Sequence, residues 1–425
     1  MSEATIESPQ PVSYYALVRN NPNFRYLWFG QIISLLGDWF NLIASASLVG
    51  LLTRSGLAVG GLFVIRMIAP FLVSPIAGVA ADRFNRKWLL IITDLGRAVT
   101  VLGFLFVRES EYIWLLYTLT AIQLGFSGFF FPARNAILPD IVSRDELGAA
   151  NALSSATWSI MLALGAALGG LAAGNWGIYP SFVIDALTFL LSAFFILQVG
   201  YSKSTAMDDA SKNFRAAITQ YLDGLRYLKK YRDIFVIAML KAFMALSVSG
   251  AFQVIQVRLA EREFVIGEGG GTSLGLMYAA VGVGTGLGPI FARRFTRDRE
   301  SKLRKAITVS YLIAALGLAV IGTLVNFWVV LGGTLLRGVG SGINWVFSTQ
   351  LLLQLLPDRI RGRVFSTEFA LLTLMNATGA ALGGWALDTP SLELSNILWA
   401  MAALTLVLGL LWMVWLIWGS RMARD

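Results

Sequence analysis

The sequence predicts an all-α membrane protein with twelve transmembrane helices arranged as two six-helix pseudo-repeat bundles. Three observations predict it. Of 425 residues, 56% are apolar and only 14% charged, whereas soluble domains carry roughly 25% charged residues. Apolar runs of the ~20 residues needed to cross a bilayer recur along the chain. Short motifs of the first half return, in order, in the second.

The spans are read at about 27–51, 57–80, 88–107, 112–132, 150–173, 180–200, 234–257, 273–292, 306–325, 328–350, 366–387 and 396–418. Glycines and polar residues interrupt the fourth, tenth and eleventh. An even number of spans places both termini on one side, and basic charge marks that side. Of 34 Lys and Arg, Arg54, Arg108, Arg258 and Arg262 fall in the opposite loops, and Arg66, Arg97, Lys241 and Arg337 within spans; all others lie on the first side. This is the positive-inside pattern. It makes the basic side cytoplasmic and accounts for the net charge of +9 without nucleic acid. The amino terminus lacks the basic start and apolar core of a signal peptide, so it is expected to be retained.

The expected organisation is a cytoplasmic segment at 1–26, a six-helix bundle at 27–200, a cytoplasmic linker at 201–233, a second bundle at 234–418 and a tail at 419–425. In the linker, Phe214, Ile218, Tyr221, Leu222, Leu225 and Leu228 recur at helical spacing. They predict an amphipathic helix lying on the inner membrane surface.

The repeat is visible motif by motif. Gly-Ala-Ala-Leu-Gly-Gly at 165–170 returns at 379–384, and Leu138-Pro139-Asp140 returns as Leu356-Pro357-Asp358. Ser127-Gly128 matches Ser341-Gly342, and Ala81-Asp82-Arg83-Phe84 has a degraded counterpart at Ala292-Arg293-Arg294-Phe295. Parallel six-span repeats are a transporter architecture with the substrate site at their interface near mid-membrane. The glycines at 165, 169, 170, 379, 383 and 384 (Gly165, Gly169, Gly170, Gly379, Gly383, Gly384) are expected to permit close helix packing.

Cysteine and histidine are absent. That excludes disulfides, thiolate or imidazole metal sites, Ser-His nucleophiles and a histidine relay. Gly269–Gly271 lies in an outer loop and reads as a turn, not a phosphate cradle. No enzyme, cofactor or metal is expected. The expected partners are membrane lipid, a small-molecule substrate and protons.

Ionisable residues inside spans are functional candidates by default. Asp38 sits halfway along span one with Asn41 three residues on. A low dielectric disfavours its charge, as a proton carrier requires; the competing reading is a structural ion pair, for example to Arg66. Arg66 and Arg337 are cationic candidates for an anionic substrate or a carboxylate partner. Asn344 and Gln253 are polar candidates for the pocket. Lys241 is read as snorkelling to the inner surface, Asp94–Arg97 as a structural pair, and Asp185 as solvated near the outer end. Glu368 is read as a gate residue pairing with Arg83, Arg86 or Arg363. Phe40, Phe126, Phe130, Phe252, Trp345 and Phe347 are candidate cavity aromatics; Trp412, Trp415 and Trp418 are read as lipid-facing anchors.

The loop Gly78-Val-Ala-Ala-Asp82-Arg83-Phe-Asn-Arg86-Lys87 fits G-x-x-x-D-R-x-x-R-[KR] without a mismatch. Placed between spans two and three of twelve, it resembles the cytoplasmic signature of the major facilitator superfamily, and the resemblance covers essentially the whole chain. The resemblance implies the major facilitator fold, secondary active transport by alternating access, a monomer, and a gating role for Gly78, Asp82, Arg83, Arg86 and Lys87. Phe24-Arg25 to Trp28, Ser34 to Asp38, Asp223 to Leu228 and Pro357 to Val364 are similar to the branch of enterobactin exporters and macrolide efflux pumps. That branch implies a bacterial inner membrane and proton-driven antiport of small amphipathic molecules such as drugs, macrolides or siderophores. A lipid flippase or an uptake symporter on the same scaffold is the alternative. Two departures stand out. Ala166 replaces the proline that efflux branches carry in span five, and the usual buried arginine ahead of a Q-G-x-G element is not evident around Thr120–Gly125.

Overall fold

The computed structural model describes residues 13–201 and 226–422. In lipid every backbone N–H and C=O must be satisfied within the chain, which restricts an open, unclosed chain to helices. The described residues accordingly form α1 (Tyr14–Asn20), α2 (Pro22–Thr53), α3 (Gly56–Arg83), α4 (Arg86–Leu102), α5 (Ile113–Ile141), α6 (Arg144–Trp176) and α7 (Ile178–Leu197) in the first half. The second half holds α8, a continuous helix over 232–263, then α9 (Gly271–Thr296), α10 (Glu300–Gly322), α11 (Phe327–Leu355), α12 (Asp358–Asp388) and α13 (Leu394–Met422). Eleven of the twelve helices α2–α13 are long and apolar enough to span a bilayer. The exception, α11, matches them in length but is interrupted by glycines, Arg337 and Asn344. The linker helix expected around Phe214–Leu225 lies outside the described residues; 226–230 are helical, with Leu228 buried.

Local chemistry sets the helix starts. Asn21 accepts from the Phe24 N–H with Pro22 opening α2, Ser55 caps α3, Asn85 caps α4 and Asn326 caps α11. Ser143 and Glu146 form a reciprocal capping box at α6. Each cap satisfies an otherwise orphaned N–H and contributes about 0.5–2 kcal/mol. The helices run further on the basic side than the apolar runs suggest. α5 continues to Ile141 and α6 begins at Arg144, so only two residues separate them.

Helices α2–α7 pack as one bundle and α8–α13 as the other, with α6 against α9 and α3 against α12 joining them. Both joints rest on the glycine repeats. A β-carbon at Gly165 would come within 2.6 Å of Trp39, and one at Gly169 within 3.0 Å of its carbonyl, so these two glycines serve contact with α2. Gly170 instead lies against Gly275 of the other bundle. In the second repeat, Gly379 and Gly383 meet α8 at Leu246 and Ala251, while Gly384 packs on Gly56 across the interface. The same motif therefore does the same two jobs in each half.

α8 is not a uniform helix. It widens into π turns at Ala245–Gly250 and Leu259–Glu263, a deviation found frequently at functional sites. The first widening faces the Gly379 stretch of α12. In the α9–α10 turn, Arg293 bonds Asp298 at 2.6 Å and holds its carboxyl below the usual range. The aspartate of the first-half motif has no counterpart there, since Arg293 occupies its place. Trp412, read as lipid-facing, is 3% exposed, and its indole N–H donates to the Arg304 carbonyl at 3.0 Å. Trp415 donates to Asp233 at 3.1 Å. The Trp418 side chain lies outside the described residues.

Candidate functional site: a two-part cavity between the bundles

Two cavities occupy the basic-side half of the molecule. The first, about 270 Å³, is enclosed by α2, α4, α5 and α6 and lined by polar groups including Gln31, Asp38, Arg97, Arg134 and Asn151. The second, about 370 Å³, is apolar and built from both bundles, with Met67, Met244, Trp345, Phe369 and Leu372 on its walls. Trp158 of α6 lines both. A further space of about 470 Å³ shares Lys241, Trp345 and Phe369 with the second cavity.

On the opposite face the bundles are tied together beside a cavity of about 380 Å³ lined by residues of both, among them Arg54, Val254 and Asp388. The Asp388 carboxylate at the end of α12 accepts from Ser55 Oγ at 2.6 Å, Gly56 N at 2.6 Å and Leu57 N at 2.9 Å. It therefore caps α3 of the other bundle at its positive end. Arg262 donates to the Arg54 carbonyl at 2.9 Å. Nearer mid-membrane, Gln253 donates to Asn376 at 3.3 Å and Asn376 to the Met67 sulfur at 3.3 Å, linking α8, α12 and α3.

Asp38 faces the polar cavity with its side chain 25% exposed. The basic residue that approaches it is Arg97, at 3.8 Å, where the sequence reading offers Arg66 as an example of an ion-pair partner. That guanidinium is fixed in place. It bonds Asp94, whose other oxygen accepts from Ser192 at 2.7 Å, and it is sandwiched between the rings of Phe130 and Phe189 at 4.5 and 4.2 Å. Asp94–Arg97 is thus the structural pair expected, and it also presents Arg97 to Asp38. Arg66 and Asp185 lie near enough to feel the Asp38 charge. Asn41 is fully buried and faces Asp185 outside hydrogen-bond geometry.

Several readings of single residues need correction. Asp185 is not solvated: it is 0% exposed, and Gly37 leaves the space its carboxylate fills. Lys241 does not snorkel. It is 6% exposed, lies 4.8 Å over the Trp345 ring and pairs with Glu368 at 2.9 Å. Glu368 is accordingly held by Lys241 inside the second bundle instead of by Arg83, Arg86 or Arg363. Of the candidate aromatics, Phe130 and Trp345 line the cavities, whereas Phe252, Phe347 and Phe40 are buried and Phe126 packs on Gly96. Arg337 is 4% exposed and stacks 4.2 Å over Phe252. Asn344 lines the apolar cavity and donates to the Leu240 carbonyl at 3.3 Å.

In the 78–87 loop, Arg86 pairs with Asp140 at 2.6 Å and bonds the Ala136 carbonyl, and Lys87 donates to the Val199 carbonyl at 2.8 Å. These contacts stay within the first bundle. The surroundings of Gly78 and the side chain of Asp82 lie outside what is described.

Sequence reasoning missed Arg134. Placing it in a loop ended the fourth span at residue 132. In the structure it lies within α5, 7% exposed, and its Nη2 donates to Gln31 and to Ser154. The signal was present: Phe130, Ala133, Ile137, Leu138 and Ile141 continue the helical apolar period past Pro132.

Twelve helices in two repeated bundles, with a polar cavity in the first and an apolar one built from both, are the architecture of a membrane transporter. The chain belongs to the Major Facilitator Superfamily, whose family model matches residues 27–366 and 268–423. It is a transporter of bacterial type, not an enzyme. With two Bacillus subtilis relatives the match spans only about half of their length, 51% of each. The putative bacilysin exporter BacE of Bacillus amyloliquefaciens is 26% identical over 85% of this chain and 88% of its own. Multidrug resistance protein MdtG of Salmonella arizonae is 27% identical over 76% and 77%. The nucleoside transporter NupG superposes with a TM-score of 0.73 over 92% of this chain and 99% of its own, at 13% identity, a likeness of fold alone. The expected narrower membership, among enterobactin and macrolide exporters, is not among these findings.

Proposed function

We propose that the protein is a proton-coupled exporter of small amphipathic molecules, working by alternating access in a bacterial inner membrane with both termini cytoplasmic. One observation carries the reading: Asp38 faces the polar cavity at mid-helix with Arg97 3.8 Å away. A carboxylate so placed exchanges an arginine for a proton without leaving its pocket, and each protonation state favours a different set of contacts, which biases the conformational equilibrium. The exporter-type relatives support the direction, and the charge asymmetry of the loops supports the orientation. In this reading the cavities open to the cytoplasm, cargo enters there, and the 78–87 loop with Glu368 rearranges as the halves rock. The protein acts as a monomer, with lipid, cargo and protons as its partners.

The test is flux in proteoliposomes under an imposed pH gradient, with dyes and macrolides as cargo. Gradient-driven export that Asp38→Asn abolishes is expected. Flux that ignores both gradient and substitution would sink the coupling role and favour a facilitator or lipid flippase.

A further inference from the structure

Three cationic side chains line the cavities of the basic-side half, and two are already neutralised. Arg97 is bonded to Asp94 and close to Asp38, and Lys241 is paired with Glu368. Arg134 differs. Its hydrogen-bond partners are Gln31, Ser154 and Asn135, all uncharged, and its Nε is buried without a partner. Among the described residues no carboxylate pairs with it. A buried charge without a counter-charge is costly. Here the cost is borne at the wall of a cavity whose neighbouring side chains, Asn135, Asn151, Ser154 and Ser155, are neutral hydrogen-bonding groups. Asp38, the acid in the same cavity, is answered by Arg97.

We propose that Arg134 is the head-group subsite of the transporter, and that the cargo is an amphipathic organic anion whose oxyanion binds there. The inference rests on the transport reading above and adds the chemical class of the cargo. A guanidinium fork matches carboxylate or phosphate geometry, and charge-assisted bonds in a low dielectric are strong. The apolar body of such a molecule extends past Trp158 into the space walled by Met67, Trp345 and Phe369. Head and body then rest on different bundles. Arg134 belongs to the first and Trp345 to the second, so one bound molecule bridges the elements that must move relative to each other.

The experiment compares two probes of one shape. The whole protein in nanodiscs is titrated calorimetrically with 2-naphthylacetate and with its neutral amide, 2-naphthylacetamide. The wild type is expected to bind the carboxylate at least tenfold more tightly. Arg134→Gln should remove the preference while leaving amide binding in place, and Arg134→Lys should retain part of it. Asn151→Asp leaves the three Arg134 partners in place and adds a carboxylate to the wall of the same cavity, so it should also erase the preference; it serves if Arg134→Gln does not fold. Equal binding of both probes by the wild type, binding of neither, or a preference that survives in both Arg134→Gln and Asn151→Asp would overturn the proposal. Flux separates the two readings. A carboxylate preference without gradient-driven export would leave the subsite standing and remove the exporter.

Discussion

Removing the Asp388 carboxylate should loosen the face at which it ties the two bundles together. The side chain accepts three hydrogen bonds from the first turn of α3, which belongs to the other bundle. Those bonds exist only while the face is closed. Loss of a side-chain cap costs about 0.5–2 kcal/mol, and a negative charge at a helix N-terminus contributes about 0.3–1 kcal/mol more where exposed. The two add to about 0.8–3 kcal/mol; Asp388 is exposed, so about 1–2 kcal/mol, the lower part of that range, is expected. Once the face opens, Ser55 still caps α3 through its own bond to Ala58 N, at 3.1 Å, and water takes the rest. Asp388→Ala should therefore multiply the open-to-closed ratio at this face by roughly 5–30. Asp388→Asn keeps the acceptor and loses the charge, so its effect should be smaller. The chain has no cysteine, so spin labels at Glu109→Cys and Val325→Cys, exposed on this face in opposite halves, report without background. Pulsed electron resonance in nanodiscs should show the longer-distance population growing in Asp388→Ala. Identical distance distributions in the two proteins would refute the latch.

Other outcomes follow from the packing and the charges. Lys241→Met should lower thermal stability by about 3–5 kcal/mol, because it strands Glu368 in the interior, whereas Lys241→Met with Glu368→Met should recover most of that loss; equal losses in single and double variants would contradict the pair. Gly384→Val places side-chain atoms where a β-carbon already comes within 2.5 Å of the Gly56 carbonyl oxygen, so it should cost about 1–3 kcal/mol and stop transport by wedging the bundles apart; wild-type flux would exclude that contact from the cycle. The Arg293–Asp298 link should be present at neutral pH. Because Asp298 titrates below its ordinary value, the link should persist as pH falls through the usual carboxylate range and loosen only below it. Hydrogen exchange across the α9–α10 turn at graded pH checks this, and loosening above pH 5 would contradict it.

The sequence exposes whatever depends on one helix or on one repeated pattern. Span count, sidedness and the paired glycine motifs are properties of the chain read in order, and Asp38 stands out because a carboxylate amid apolar residues needs a reason. What depends on a second helix is hidden. Asp185 looks solvated until Gly37 is seen to leave it a slot, and Lys241 looks able to reach the surface until Glu368 arrives from α12. Asp38 could have met either of two arginines; the rings of Phe130 and Phe189, from two other helices, fix the nearer one. Arg134 was lost differently. Pro132 and a charge seemed to end a span, although the apolar period ran on and Ser143 with Glu146 already marked where the next helix begins.

The glycine seams have a mechanical consequence. Ordinary helix pairs interlock side-chain ridges with grooves, so turning one against the other means lifting every ridge out of its groove. Where Gly170 meets Gly275 and Gly384 meets Gly56, backbone lies on backbone and there are no ridges to lift. The two seams behave as plain bearings. They carry the load between the halves through close van der Waals contact and yet offer no detents along the path of rotation. The positions at which the halves come to rest are then set elsewhere, by the hydrogen-bonded cap at one face and by what occupies the cavity that both halves line.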